Sequence, residues 1–575
     1  MTEARTSRAP GRRARFTRVL AHGLGAAAIL AGTQAALAQI VPPSAEPGRI
    51  EQRFERRPAP QVSPEMVVPA PDGAKPPPEA AQIRFLLKQI EIDGGTVYPA
   101  DALAPLYRAL LNTQVSLADI YAVAERITAK YRADGYVLAR AVVPAQRISD
   151  GTVRITIVEG FVSRVLFDGP ANDLMRRYAE KIKASQPLRF ADLERYLLLM
   201  NDVPGTIARG VFAPSPDVPG GSDLTIFTEK RVVDGFVSMD NRGTRYTGPF
   251  EILAGAGLND AAGLGERLTL RYVTATQTDE IQYGEVSGDF AISSEGTRLQ
   301  IVASRSNTHP GYTLKPFDVK GFGTTVTARV VHPVIRSREH NLNLAGSFTA
   351  RDVEQKILGT QSFDDRLRIL RAEASYDMLD AWDGINLIAA EVSQGLDAFG
   401  ARESGSDFLS RANGRSDFTK VTGQVSRLQR LTRNVNLLVA FAGQKSANQA
   451  LLASEEFALG GAEFGRAYDP AEITGDDGWA GRAELQINDP LPLPEPVSYQ
   501  LYAFYDGGVV YNNDPGSSGS DSLVSAGFGV RANLTSWMSG LVELAVPLTR
   551  GVSAVSVNPD EQNDPRVFFA LAARF

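Results

Sequence analysis

The sequence predicts a mainly β chain. It reads as a C-terminal transmembrane antiparallel β-barrel of about 16 strands, preceded by two small β-α-α-β-β modules and a short N-terminal helix. Three observations carry this prediction. First, the chain ends on a strand whose Val567, Phe569, Leu571, Ala573 and Phe575 share one face, with Arg566 and Arg574 on the other. Second, from about Val232 onward the helical period gives way to alternation broken by turns. Third, no run beyond the N-terminal leader reaches the ~18 apolar residues of a spanning helix. A chain of this kind enters lipid only as a closed barrel, where every backbone group is paired.

Residues 1–38 read as a secretory signal. Arg5, Arg8, Arg12, Arg13, Arg15 and Arg18 precede an apolar, alanine-rich stretch over 19–31, and Ala36-Leu37-Ala38 supplies a cleavage site before Gln39. The whole chain of 575 residues carries 60 basic and 66 acidic side chains. Loss of the leader leaves 54 against 65, a net charge of −11. An acidic chain without a basic stripe does not suit nucleic acid as a partner. The absence of cysteine excludes disulfides, thiolate metal sites and cysteine nucleophiles. His22 leaves with the leader, and His309, His332 and His340 form no metal-binding spacing. With no G-x-S-x-G elbow and no Walker loop, the reading is of a non-enzyme that needs no cofactor and no metal.

Within an N-terminal segment over 39–57, residues 47–57 predict a helix that opens on Pro47 and is charged nearly all round. Ile50 and Phe54 are its only apolar pair, too little to join a core, so it suits water or a polar channel. A linker follows over 58–81, extended and semi-rigid by its prolines. Residues 82–160 then read as strand (84–92), helix (99–111), a second helix capped by Ser116 and Asp119 and ended at Gly135, and strands over 137–143 and 153–157. Residues 161–231 repeat that order: a strand at 162–167, helices at 172–184 and 190–201, and strands at 207–212 and 224–226. The final strand of each module is the expected place for an extended client to add by edge pairing.

Residues 232–575 carry the barrel pattern. Leu268, Leu270 and Tyr272 oppose Arg267, Thr269 and Arg271, and similar alternation recurs near 299–305, 342–351, 367–376, 435–442, 480–488 and 523–532. At roughly 20 residues per strand and connection, these 344 residues hold about 16 strands, enough to enclose an aqueous lumen. Two stretches stand out. One is Phe464-Gly465-Arg466-Ala467-Tyr468-Asp469-Pro470, in a loop from about Gly460 to Asp477. The other is Phe504-Tyr505-Asp506-Gly507-Gly508, in a strand whose even positions face inward. An arginine fork on a loop folded back into the lumen could meet Asp506, with Gly508 leaving room beside it.

The mature chain resembles the two-partner secretion transporters of Gram-negative bacteria, the TpsB or haemolysin secretion/activation proteins of the superfamily that includes BamA-like barrels. The resemblance rests on 153–160 as the last strand of a first POTRA module, on Asp240-Asn241-Arg242-Gly243 with Thr247-Gly248, and on Ser393-Gln394-Gly395-Leu396-Asp397. Two motifs are more specific. Gly465-Arg466-Ala467-Tyr468 corresponds to the family's lumen-loop V-R-G-Y, with Gly and Ala exchanged, and Phe504-x-Asp506-x-Gly508 corresponds to the wall motif F-x-D-x-G. The resemblance implies two periplasmic POTRA modules, a barrel in the outer membrane, and a plug helix carrying Ile50 and Phe54. It also implies Phe575 as the barrel's C-terminal signal. The implied partners are an unfolded TpsA-type exoprotein, outer-membrane lipid and the barrel assembly machinery, and the implied function is export without nucleotide hydrolysis. A barrel-assembly factor is the alternative; a passive porin or surface receptor leaves the modules and Arg466 without a role.

Overall fold

The computed structural model describes residues 41–54, 58–61, 76–489, 497–515, 519–553 and 563–575. The leader expected over 1–38, the end of the predicted helix at 55–57 and most of the predicted linker lie outside the described residues. Among the described residues no helix is long and apolar enough to cross a membrane, which says nothing of a barrel.

Sixteen strands, from Val233–Asp240 to Arg566–Arg574, form a closed antiparallel barrel in which sequence neighbours are wall neighbours. Closure is what lipid demands, because an open edge would leave a row of backbone groups unpaired. The side chains divide by the period-2 rule. Leu268, Leu270 and Tyr272 are 44%, 58% and 47% exposed on the outside, whereas Thr269 between them is 6% exposed. Trp382 and Trp537 stand exposed in turns at one end of the barrel, and Trp479 lies near the other. Rings with an apolar body and a polar N–H suit the two membrane interfaces.

The seam between the first and last strands is short, with register pairs from Ala570↔Asp240 to Arg574↔Phe236. Both ends of this ladder are extended. Gly235 N–H donates to the Phe575 carbonyl at 2.9 Å, and Phe575 N–H donates to Gly235 at 3.0 Å. At the other end the Asn241 amide stands in for backbone: its Nδ2 donates to the Val567 carbonyl (2.8 Å) and its Oδ1 accepts from Phe569 N–H (2.7 Å).

Two small modules precede the barrel. In the first, Gln89–Asp93 pairs parallel to Thr152–Val158, which pairs antiparallel to Arg140–Val142. The helix Leu117–Ala133 covers this sheet with Ile120, Val123, Ala124, Ile127 and Tyr131, and the Ser116–Asp119 capping box starts it. Three sequence expectations change. The strand expected over 84–92 is two strands, because Lys88 N–H turns to the Gly151 carbonyl at 2.8 Å. The helix expected over 99–111 is one turn, Ala100–Leu103, followed by two 3-10 turns. Pro105 lacks an N–H and crowds the preceding turn, which breaks the α-helical ladder. The strand expected over 137–143 shortens to Arg140–Val142, because 136–139 form a turn.

The second module pairs Phe161–Asp168 parallel to Gly221–Lys230, with Thr206–Pro214 antiparallel on the other side. Helices Asp173–Ala184 and Phe190–Asn201 pack Leu174, Tyr178, Ile182, Leu193 and Leu197 onto Leu224 and Ile226. In both modules the last strand is the central one. That overturns the expectation that a client adds there, since both its edges are already paired. The open edges belong to Gln89–Asp93 and Arg140–Val142, and to Phe161–Asp168 and Thr206–Pro214.

The second module docks on the barrel rim through charge. Arg336 grips Asp202 with two bonds of 2.8 Å, Arg338 donates to Glu194 (2.6 Å), and Lys181 and Lys230 pair with Glu295 (2.7 Å) and Asp260 (2.8 Å). These contacts mark the end of the barrel that faces the modules.

The seam generates a test. A Cβ on Gly235 would lie 2.6 Å from the Phe575 ring. Gly235→Val should therefore cost about 1–3 kcal/mol of overpacking. The expected result is a lower temperature for loss of the fast-migrating folded form on SDS gels, with partial recovery in Gly235→Val/Phe575→Ala.

Candidate functional site

The connection between strands Val435–Ser446 and Asp477–Asn488 runs over 447–476 and folds back into the lumen. It begins well before Gly460, where the sequence placed its start. Residues Phe457–Leu459 and Ile473–Gly475 pair with each other, so 460–472 form only the tip. The tip packs Ala467 and Tyr468 against Tyr502, Phe504, Leu523 and Phe568 of the wall, and all six are 5% exposed or less. Tyr468 Oη donates to the Val524 carbonyl at 3.0 Å. Arg566 of the last strand pairs with Asp469 (2.7 Å) and donates to the Ala467 carbonyl (3.0 Å), tying the tip to the seam.

Arg466 sits at the centre of this packing. Its Nε donates to Asp506 Oδ2 at 2.8 Å, and one terminal nitrogen donates to Glu484 at 2.6 Å and reaches Glu543 at 3.5 Å. Its Cζ lies 3.7 Å from the centroid of the Phe504 ring, a cation–π contact in a dry setting. Asp506 is equally engaged. Its Oδ1 accepts from the backbone N–H groups of Gly465 (2.9 Å) and Arg466 (3.3 Å) and from the Ser525 hydroxyl. With the Arg466 side chain, four donors meet the roughly four lone-pair sites of a carboxylate.

Two glycines make this geometry possible. Gly465 has φ +76°, and a Cβ there would also lie 2.4 Å from Leu523. The glycine is therefore needed before the arginine in this chain, while Ala467 fills a fully buried slot after it. At Gly508 a Cβ would lie 2.4 Å from the Trp479 carbonyl oxygen of the neighbouring strand and 2.8 Å from Leu459 of the loop, so bare backbone is needed where the two approach.

Two further carboxylates and three further arginines surround this centre, among them Arg482, which faces inward as the register partner of Asp506 and donates to the Glu463 carbonyl (3.4 Å). Arg531 donates to Glu484 (2.7 Å) and lies 3.8 Å from the centroid of the Tyr502 ring. Tyr502 Oη donates to Glu543 (2.8 Å), and Arg242 donates to the other oxygen of Glu543 (2.7 Å). The sequence reading missed Glu484, Glu543, Arg531 and Ser525, and placed Tyr502 on the inward face without a role. The signal lay in the alternation itself, since all five occupy inward positions of wall strands.

The helix Pro47–Phe54 lies inside the barrel, with Arg49, Ile50 and Glu51 at most 5% exposed. It is held mainly by polar contacts. Arg49 pairs with Glu456 of the lumen loop, a carboxylate that Arg411 also holds at 2.9 Å. Glu51 accepts from Thr325 and faces Arg351 at 3.7 Å, and Gln52 donates to the Ser454 carbonyl. Arg53 forks onto Glu251 with bonds of 2.6 and 2.7 Å. Ile50 packs on Ala275 and Ile281, and Phe54 on Tyr283 with ring centroids 5.1 Å apart. Upstream, Val41 and Ala45 pack against Tyr246, Leu314 and Ile357 at the end away from the modules. Downstream, Gln61 N–H donates to Asp377 (3.1 Å) beside Arg336 at the module end. The N-terminal segment thus spans the lumen from one end to the other.

No group of three or more acidic or histidine side chains among the described residues could hold a metal ion.

Comparison with known proteins agrees with this architecture. Residues 220–532 match the family described as haemolysin secretion/activation protein ShlB/FhaC/HecB, and residues 85–160 match the ShlB-type POTRA domain. The heme/hemopexin transporter protein HuxB of Haemophilus influenzae is 24% identical over 484 residues, covering 82% of this chain and 85% of that protein. The outer membrane transporter CdiB of Dickeya dadantii is 24% identical over 476 residues, covering 81% and 83%. The structure of CdiB from Escherichia coli shares the fold, with a TM-score of 0.70 at 20% identity over 90% of this chain and 94% of that one. With more than half its length matched, the chain belongs to the haemolysin secretion/activation protein family, the outer-membrane transporters of two-partner secretion.

Proposed function

We propose that this chain exports one unfolded, secreted TpsA-type partner protein from the periplasm to the cell surface through the barrel, without nucleotide hydrolysis and without catalysis. The observation that carries this reading is the filling of the lumen. Its wall is charged, and two segments that are not wall strands occupy it: the helix mainly through ion pairs, the loop through the ion pairs of Arg466 and an apolar tip. The helix contacts can exchange for water, so the helix can leave while uncovering little apolar surface.

In this reading 82–160 and 161–231 are POTRA modules that receive the client, 58–81 is a linker and 232–575 is the barrel. The helix carrying Ile50 and Phe54 is a plug that leaves during transport. Arg466, Gly465 and Tyr468 of the loop, with Phe504, Asp506 and Gly508 of the wall, form a lock that holds the loop in its working position. Phe575 is the terminal signal read by the machinery that inserts the barrel into lipid.

Quantitative proteomics of medium, cell surface and outer membrane, with and without the gene, tests the function. The expected result is loss of one large secreted or surface protein with other barrels unchanged; a broad fall in outer-membrane barrels would identify an assembly factor instead. Arg466→Ala and Asp506→Ala should each cost roughly 3–5 kcal/mol, as expected for breaking a buried ion pair. Secretion should fall in both, and wild-type secretion in both would remove the lock. Deleting residues 47–57 should raise single-channel conductance in planar bilayers; unchanged conductance would remove the plug.

A further inference from the structure

Helix Pro47–Phe54 is held by three charged contacts, and they differ in what remains if the helix departs. Glu456, the partner of Arg49, keeps Arg411 at 2.9 Å. Arg351, which faces Glu51, keeps Glu455 at 2.9 Å. Glu251 is different. It is 3% exposed, and Arg53 is its only ion-pair partner among the described residues. Its register partner across the hairpin, Asp240, is a second carboxylate. Two nearby arginines already have other carboxylates: Arg242 is bound to Glu543 at 2.7 Å and stacked 4.5 Å from Phe568, and Arg271 is paired with Glu285 at 3.2 Å. Departure of the helix also strips Phe54 from Tyr283 and Ile50 from Ala275 and Ile281.

We propose that the position vacated by Arg53 and Phe54 is a binding site on the transport path for a basic side chain, preferably next to an aromatic or apolar one, of the exported polypeptide. The helix is then a resident stand-in for cargo. Its Arg53 fork on Glu251 and its Phe54 on Tyr283 show the geometry that a passing Arg-Phe pair adopts. With the helix gone, Glu251 and its register partner Asp240 leave two carboxylates together on the lumen wall, and a guanidinium fits Glu251 with two parallel bonds. Glu251 and Tyr283 thereby become the residues by which the open lumen favours basic over acidic segments.

This inference rests on the proposed reading of the helix as a removable plug, and the test separates the two. Full-length Arg49→Ala/Arg53→Ala protein in planar bilayers frees the helix from two of its ion pairs while leaving Glu251 in place. The probes are a Gly/Ser decapeptide bearing one Arg-Phe pair and the same decapeptide bearing Ala-Phe. The expected result is frequent opening of the variant, with current interruptions about tenfold longer for the arginine peptide. That difference should vanish when Glu251→Gln is added. Openings without any arginine dependence, or a dependence that survives Glu251→Gln, would overturn the site alone. If neither this variant nor the form lacking residues 47–57 opens more than the parent, the plug reading falls and this site with it.

Discussion

The structure depends on one constraint: in lipid, every backbone N–H and C=O must find a partner within the protein. That requirement closes sixteen strands into a ring. It also explains why the seam recruits groups beyond its short register. Asn241 lends a side-chain amide as a surrogate peptide group at one end, and Phe575 adds a backbone pair at the other. Closure then fixes everything inside. A ring of this size encloses a lumen too wide for wall side chains alone to fill, so the inward residues are polar and the chain supplies its own filling.

The filling obeys a second rule, that buried charges need partners. Around Arg466 the rule is met by the loop and the wall themselves, with Asp506, Glu484 and Glu543 each paired to Arg466, Arg531 or Arg242. Around the helix it is met unevenly. Glu456 and Arg351 are shared with permanent partners, and Glu251 is held by Arg53. The loop site is thus self-sufficient, whereas the helix site is complete only while the helix is in place. The two meet at residues 454–456, which touch Arg49 and Gln52 on one side and Arg351, Arg371 and Lys420 on the other. The helix's hydrogen bonds to the loop thus fall on its stem.

The modules add a fixed end and a free end. The second module is clamped to the rim by five ion pairs, and Arg336 within that clamp also touches Gln61 of the N-terminal segment. The first module meets the second through Leu138 and the Gly135–Phe190 backbone bond. The position of the second module is thereby linked, through one guanidinium, to the segment that continues into the lumen helix.

The sequence by itself determined what depends on local periodicity. Alternation marked the wall strands and their lipid face, as at Leu268, Leu270 and Tyr272, because side-chain direction in a strand follows from position alone. The capping box at Ser116 and Asp119 located a helix start for the same local reason. The inward face of Asp506 was readable in this way, but its company was not. The tertiary structure alone decided that Arg466 would meet three carboxylates from three strands, that Glu251 would hold Arg53, and that the last strand of each module would be central. Those outcomes depend on which strands become neighbours when the barrel closes and on how a loop folds back across it. The residues that meet are far apart in the chain, and no local period encodes their distance.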